Sequence, residues 1–238
     1  MAQVRSEVMW QAVTEAVQLA GRAPLDVLDL GGGTGIDAVR LAVDGHRVTV
    51  VDPSADALAS LGRRASESGV TDAVRSVQGD ASDLGDVVES KTIDLVLCHG
   101  LLEHVDDPAD VLSRVAPVLR SGGIVSVVVP GRLGAVLSKA VAGDFGAAEE
   151  LLVSSAAHWD VHEDGPRRYT EAELTDLMRD TGFRPVLERG VRIFTDLVPA
   201  QVVEEQPRGR DALFALERLA GDALRSVAAG LQSVARLE

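Results

Sequence analysis

The 238-residue chain has one cysteine, Cys98, which excludes an internal disulfide and any zinc site built on cysteine pairs. A lone thiol suits a reducing compartment, and a cytoplasmic location is expected. Aromatic residues make up 3 % of the chain, too few for a broad base-stacking surface for single-stranded RNA. Long apolar runs are missing as well. The most apolar stretch, IVSVVV within GGIVSVVVPG, is far short of the ~20 residues that cross a bilayer, and MAQVRSEVMWQAV has neither the apolar core nor the cleavage site of a secretory signal. No membrane partner is expected. Positive charge is scarce: 23 Lys and Arg against 37 Asp and Glu leave a net charge of −14. That balance disfavours general nucleic-acid binding, whose affinity comes largely from neutralised phosphates. Two small basic groups, Arg167 with Arg168 and Arg208 with Arg210, are the places where a local patch could form.

Apolar residues, by contrast, are 46 % of the chain, enough for a sizeable core. Strand-like and helix-like segments alternate: helix 4–19, strand 26–30, helix 36–43, strand 47–51, helix 54–66, strands 74–78 and 93–98, helix 109–119 and strand 124–129. Ser54 is the expected N-cap of its helix; Asp107 followed by Pro108 has the N-cap and N1 order. This alternation predicts an α/β fold with a doubly wound, mostly parallel, seven-stranded sheet. More than fifty residues then precede the next strand, 185–194, too many for one crossover helix. They include helices over 133–141 and 171–180, the latter opened by a Thr170/Glu173 capping box. A helix over 210–227 and a strand over 231–235 finish the pattern. One domain is expected, divided into an N-terminal helix (1–24), a cofactor-binding core (25–130), a substrate lid inserted between strands 5 and 6 (131–183) and closing elements (184–238).

The chemistry starts at VLDLGGGTG. A dinucleotide fingerprint needs Gly-x-Gly-x-x-Gly; Gly31 and Gly33 fit, but the third position is Ile36, and Gly35 comes one place early. Asp29 weighs more. It ends the strand facing the glycine cradle, where a diphosphate would meet repulsion of about 4 kcal/mol at ~4 Å. A cation would be attracted. S-adenosylmethionine carries a sulfonium and an amino group and no phosphate, so Asp29 can take the amino group while Gly31, Gly32, Gly33 and Gly35 and the following helix N-terminus face the carboxylate. Asp52 and Pro53, at the end of the second strand, suit ribose hydroxyls. Asp80, Ala81 and Ser82 follow the third strand, where an amide and a polar side chain could meet adenine. His99 ends the fourth strand at the same edge.

The set VLDLGGGTG, VVDPS, GDASD, DLVLCHGLLEHVDDP and LRSGGIVSVVV resembles the motifs of class I S-adenosylmethionine-dependent methyltransferases over about residues 25–130. The pieces VRSEVMW, CHGLLEHVDDP, GAVLSKAVAGDF and TGFRPVLERGVRIFTDL are similar to the tRNA 5-carboxymethoxyuridine carboxyl methyltransferases, which esterify a carboxylate on the wobble uridine. That resemblance implies Arg5 as partner of the cofactor carboxylate, Gly31 and Gly32 along the methionine moiety, Asp52 on the ribose, Ala81 and Ser82 beside adenine, and His99 lining the site. Two features depart from the family. The Lys-rich run of its insert is replaced by Glu149, Glu150 and apolar residues, and the Arg-Tyr pair of its last strand is not reproduced by Leu231-Gln232.

Acceptor contacts are expected from Glu103, His104, His158, Arg168 and Tyr169. His158 and His162, four apart in HWDVH, lack the HExxH pattern and a third ligand, so no metal is expected. The reaction expected is in-line displacement at the sulfonium-bound methyl group by a substrate oxygen, leaving S-adenosylhomocysteine. An ionised carboxylate nucleophile needs no base; a phenol or amine would, and His99 is the candidate. The acceptor stays open between tRNA and a small metabolite. An NAD-dependent oxidoreductase retains the fold and Asp52 but is opposed by Asp29 and Ile36, and a non-catalytic cofactor-binding module also stays open.

Overall fold

The computed structural model describes residues 2–153 and 165–238. Helix α1 spans Ala2–Ala20. It is followed by β1 (Asp26–Leu30), α2 (Ile36–Val43), β2 (Arg47–Asp52), α3 (Ala55–Glu67), β3 (Val74–Gln78), the single turn α4 (Leu84–Val87), β4 (Ile93–His99), α5 (Pro108–Val115) and β5 (Leu119–Pro130). Then come α6 (Arg132–Val141), α7 (Phe145–Val153), α8 (Glu171–Asp180), β6 (Phe183–Val191), α9 (Ala200–Glu204), α10 (Gly209–Ala223) and β7 (Gly230–Leu237). The sheet order is β3-β2-β1-β4-β5-β7-β6, with only β7 antiparallel to its neighbours.

Two-residue periodicity explains how helices cover both faces. Along β4, Leu95 and Leu97 pack with Val13, Leu41 and Leu61 of α1, α2 and α3. Val96 and Cys98 point to the other face and pack with Leu112 of α5 and Met178 of α8. Every residue of β4 before His99 is buried, as a central parallel strand requires. The caps follow the sequence: Ser54 Oγ accepts from Ala57 N at 3.2 Å, Asp107 Oδ1 accepts from Ala109 N at 2.9 Å, and Thr170 and Glu173 form their reciprocal box.

Several boundaries differ from expectation. The helix expected over 109–119 stops at Val115 because Pro117 has no amide to continue it; a 3-10 turn over Ala116–Val118 leads into β5, which begins at Leu119. Strand β6 starts at Phe183 and ends at Val191, because Arg192 takes a left-handed φ of 58° and turns the chain away. Pro185 sits beside a register shift on this edge strand, where a missing amide is tolerated. The helix expected over 210–227 ends at Ala223, with a 3-10 turn over Arg225–Val227. The short α4 and α9 were not expected at all. Within the expected lid, α6, α7 and α8 are helical, and residues 154–164, with His158, Trp159 and His162, lie outside the described residues.

Candidate active site at the carboxyl edge of the sheet

The parallel registers bring the ends of β1, β2 and β4 to one edge, with Asp29 beside Val50 and Leu97. The glycine turn is held from both sides: Gly31 N donates to Val51 O at 2.8 Å and Gly33 N to Asp52 Oδ2 at 2.8 Å. Two glycines are fixed by space. A Cβ on Gly32 would lie 2.4 Å from Asp29 Oδ2, and one on Gly35, which has φ 71° and precedes α2, would lie 2.1 Å from Leu61 Cδ1. The Asp29 carboxyl therefore packs against the turn rather than into the apolar interior. Burial, with smaller contributions from Asp37 and Asp52, pushes its pKa up to about 7. The standing negative charge expected from sequence is corrected by that burial: in the unliganded site at neutral pH, Asp29 is divided between acid and anion.

A cleft of about 540 Å³ opens beside the turn. Leu30, Val51, Leu101, Val105 and Val111 give it apolar walls, and Pro53, Ala81, Ser82 and His104 line it as well. Its charged lining is Asp80, Asp106, Asp107 and Asp110, with no Lys or Arg among the described residues. A diphosphate has no counter-charge here, whereas a cationic nucleoside with an apolar base is matched in both respects.

The other site residues are placed as follows. Asp52 is buried, its Oδ2 on Gly33 N and its Oδ1 on Ser54 N at 2.9 Å, so the carboxylate is oriented by the turn it faces. Ser82 lines the cleft, and its amide and hydroxyl both donate to Asp80 Oδ1, at 2.6 and 2.5 Å. These bonds hold the Asp80 carboxyl below the usual range. Arg5 lies outside the cleft lining, with Nε 2.7 Å from Asp196 Oδ1. His99 Nε2 is 2.8 Å from Ser126 Oγ, whose oxygen also accepts from Gln232 Nε2 at 3.2 Å. Its Nδ1 is buried without a partner, and desolvation lowers the ring's pKa to about 4. His99 is thus neutral at pH 7 and a weaker base than an exposed imidazole. Tyr169 is 4 % exposed, its hydroxyl donates to Leu102 O at 3.0 Å, and burial raises its pKa.

A second cleft, about 300 Å³, lies past the end of β5. Arg168 lines it, joined by Lys139 and Arg192, which the sequence reading did not single out; only the fold places them together. Arg192 sits in GVRIF, a piece already noted for its resemblance, and that was the available signal. Arg208 and Arg210 form no such patch, each lying within 4 Å of a neighbouring carboxylate, Asp211 or Glu204. The loop after β4 borders the first cleft. Leu101 and His104 face the first cleft, while Glu103 O accepts from Arg167 N at 2.9 Å. Among the described residues no group of three His, Cys, Asp or Glu could hold a metal, and no helix is long and apolar enough to cross a membrane.

The strand order, glycine turn and acidic, apolar-walled cleft define an S-adenosylmethionine-dependent methyltransferase, and the comparisons with known proteins agree. A methyltransferase-domain family model matches residues 28–127. The tRNA 5-carboxymethoxyuridine methyltransferase of Escherichia coli O157:H7 is 31 % identical over 217 residues, 91 % of this chain and 80 % of the relative. The ubiquinone biosynthesis O-methyltransferase of Cupriavidus pinatubonensis is 30 % identical over 175 residues, 73 % of this chain and 66 % of that protein. Among solved structures, the 1,6-didemethyltoxoflavin-N1-methyltransferase of Burkholderia thailandensis, with bound S-adenosylhomocysteine, aligns with a TM-score of 0.59 at 23 % identity, covering 97 % of this chain and 78 % of that one. The chain belongs to the family of S-adenosylmethionine-dependent methyltransferases that includes the tRNA 5-carboxymethoxyuridine methyltransferases. It is an enzyme, and its cofactor is S-adenosylmethionine.

Proposed function

We propose that the enzyme methylates a carboxylate oxygen, with tRNA carrying 5-carboxymethoxyuridine as its acceptor. The observation that carries this reading is the 217-residue similarity to a tRNA 5-carboxymethoxyuridine methyltransferase, which at 91 % of this chain extends beyond the cofactor-binding core. His99 adds support: with its pKa lowered to about 4 it is a poor match for removing a proton from a phenol or amine, and an already ionised carboxylate asks for none.

The cofactor supplies a methyl group on a sulfonium. The protein's part is to hold and exclude. Asp29, ionised, balances positive charge at the glycine turn, Asp52 serves the ribose, and the apolar walls take adenine. Gly79, Ala81 and Leu101 line the cleft. His99 and Gly31 stand at the ends of β4 and β1, toward the acceptor. Helix α6, which lines the second cleft through Gly134, Ala135 and Ser138, is the part of the insert that covers that side. Positioning of this kind contributes several kcal/mol to lowering the barrier, roughly up to 7–11 when orientation is complete.

A small-metabolite acceptor is the second reading, favoured by the similarity to ubiquinone biosynthesis O-methyltransferases and by the net charge of −14. Incubation with methyl-labelled cofactor and either bulk tRNA from a strain unable to methylate 5-carboxymethoxyuridine or a small-molecule extract separates the two. Label in the tRNA supports the first reading; label confined to the extract rejects it.

A further inference from the structure

We propose that Arg168 and Arg192 form the subsite that receives the carboxylate of the methyl acceptor in the cleft past the end of β5. This rests on the carboxylate reading above and assigns the residues that would perform it.

In a chain of net charge −14, the charged lining of this cleft is Lys139, Arg168 and Arg192 against the single acid Asp196. Two of those cations already have partners: Lys139 Nζ is 3.0 Å from Asp144 Oδ2, and Arg192 Nη1 is 3.6 Å from Asp196 Oδ2. Arg168 is half-buried and has no hydrogen bond or ion pair from its guanidinium to any described residue. A desolvated guanidinium without a close anion is costly, and a bidentate carboxylate is the ligand that offsets the cost best. Glu103, itself buried with Oε2 unpartnered, is coupled electrostatically to both Arg168 and Arg192.

Both arginines are fixed by backbone structure. Tyr169 N donates to Pro130 O at 2.9 Å and Arg132 N to Tyr169 O at 2.8 Å, tying residue 168 to the end of β5. Arg192 stands at a left-handed turn, and the three residues after it donate their amides to buried Glu217 at 2.7–2.9 Å. The backbone that carries both side chains to this cleft is therefore set before any ligand arrives. Loop 101–104 lines the cofactor cleft through Leu101 and His104 and carries Glu103, whose charge is felt by both arginines, which places the proposed subsite toward that cleft.

Two measurements test this. In the first, guanidinium Nε–H signals are followed by NMR as acetate, and separately acetamide, is titrated into the protein saturated with S-adenosylhomocysteine. Acetate should move the Arg168 and Arg192 signals, and acetamide should not; signals that ignore acetate, or respond equally to both, overturn the subsite whatever the natural acceptor is. In the second, Arg168→Ala is assayed on tRNA carrying 5-carboxymethoxyuridine. KM for the RNA should rise at least tenfold, with partial recovery in Arg168→Lys and S-adenosylhomocysteine affinity unchanged. An equal loss of cofactor affinity would place Arg168 in the cofactor site and overturn the assignment. If the unsubstituted enzyme leaves this RNA unmethylated, the tRNA reading falls, while the acetate titration still decides the subsite.

Discussion

Replacing Asp29 by Asn tests the electrostatics of the glycine turn, because the fold and the ligand pull this carboxyl in opposite directions. Its value in the fold is about 7 against an ordinary 3.8, so the buried anion costs roughly 4 kcal/mol at about 1.36 kcal/mol per pH unit. This is an upper bound. As pH rises from about 4 to about 7, the unfolded chain has released this proton while the folded chain still holds it, so the unliganded protein loses stability through that window and levels off above it. Asp29→Asn removes the loss. Urea denaturation across pH 4.5 to 8, both proteins measured without cofactor, should show the variant's advantage growing with pH toward an upper limit of roughly 4 kcal/mol. Cofactor binding should move the other way. A cationic ligand favours the ionised form, so at pH 6 binding to the native protein should release close to one proton, read by calorimetry in buffers of different ionisation enthalpy. The variant should release less and bind S-adenosylmethionine at least tenfold more weakly. Equal proton release in the two proteins, or parallel stability curves across the whole range, would refute the argument that this carboxyl is held for a positive ligand.

Asp52→Ala removes an acceptor from Gly33 N and Ser54 N as well as from the ribose. S-adenosylhomocysteine affinity should fall by about 1–3 kcal/mol in calorimetry, with a stability loss of similar size. His99→Gln should leave no missing inflection near pH 6.5 in the rate profile, because a ring with its pKa lowered to about 4 does not titrate there; an inflection that disappears with the histidine would restore it as a base. Glu217→Ala should destabilise the protein by roughly 3 kcal/mol or more in chemical denaturation, since two buried amides and one partly buried amide lose their shared acceptor. Gly35→Ala should cost about 1–3 kcal/mol, from its left-handed φ and the clash with Leu61, read as a lower melting temperature.

The order of strands and helices through β5 was legible because local signals agree: alternating apolar patterns, Ser54 and Asp107 as caps, and a glycine turn where β1 meets α2. The same stretch carried the cofactor cleft, since consecutive parallel strands place their own ends side by side. What the sequence did not show were contacts beyond the pattern of the elements. Leu102 O, 67 positions before Tyr169, accepts from its hydroxyl only because the chain folds back, whereas the bonds from Ser82 to Asp80 are local, two residues apart, and were simply missed. The chemical type of Asp29 and His99 was fixed by sequence, but their protonation is set by how much water the packed sheet excludes.

Arg168 and Arg192 mark the division most clearly. Local chain chemistry determines the turn, the caps and the acids at the strand ends, because each depends on residues a few positions away. Bringing two arginines twenty-four positions apart to one cleft required β7 to insert antiparallel between β5 and β6, and that pairing is a matter of tertiary structure alone.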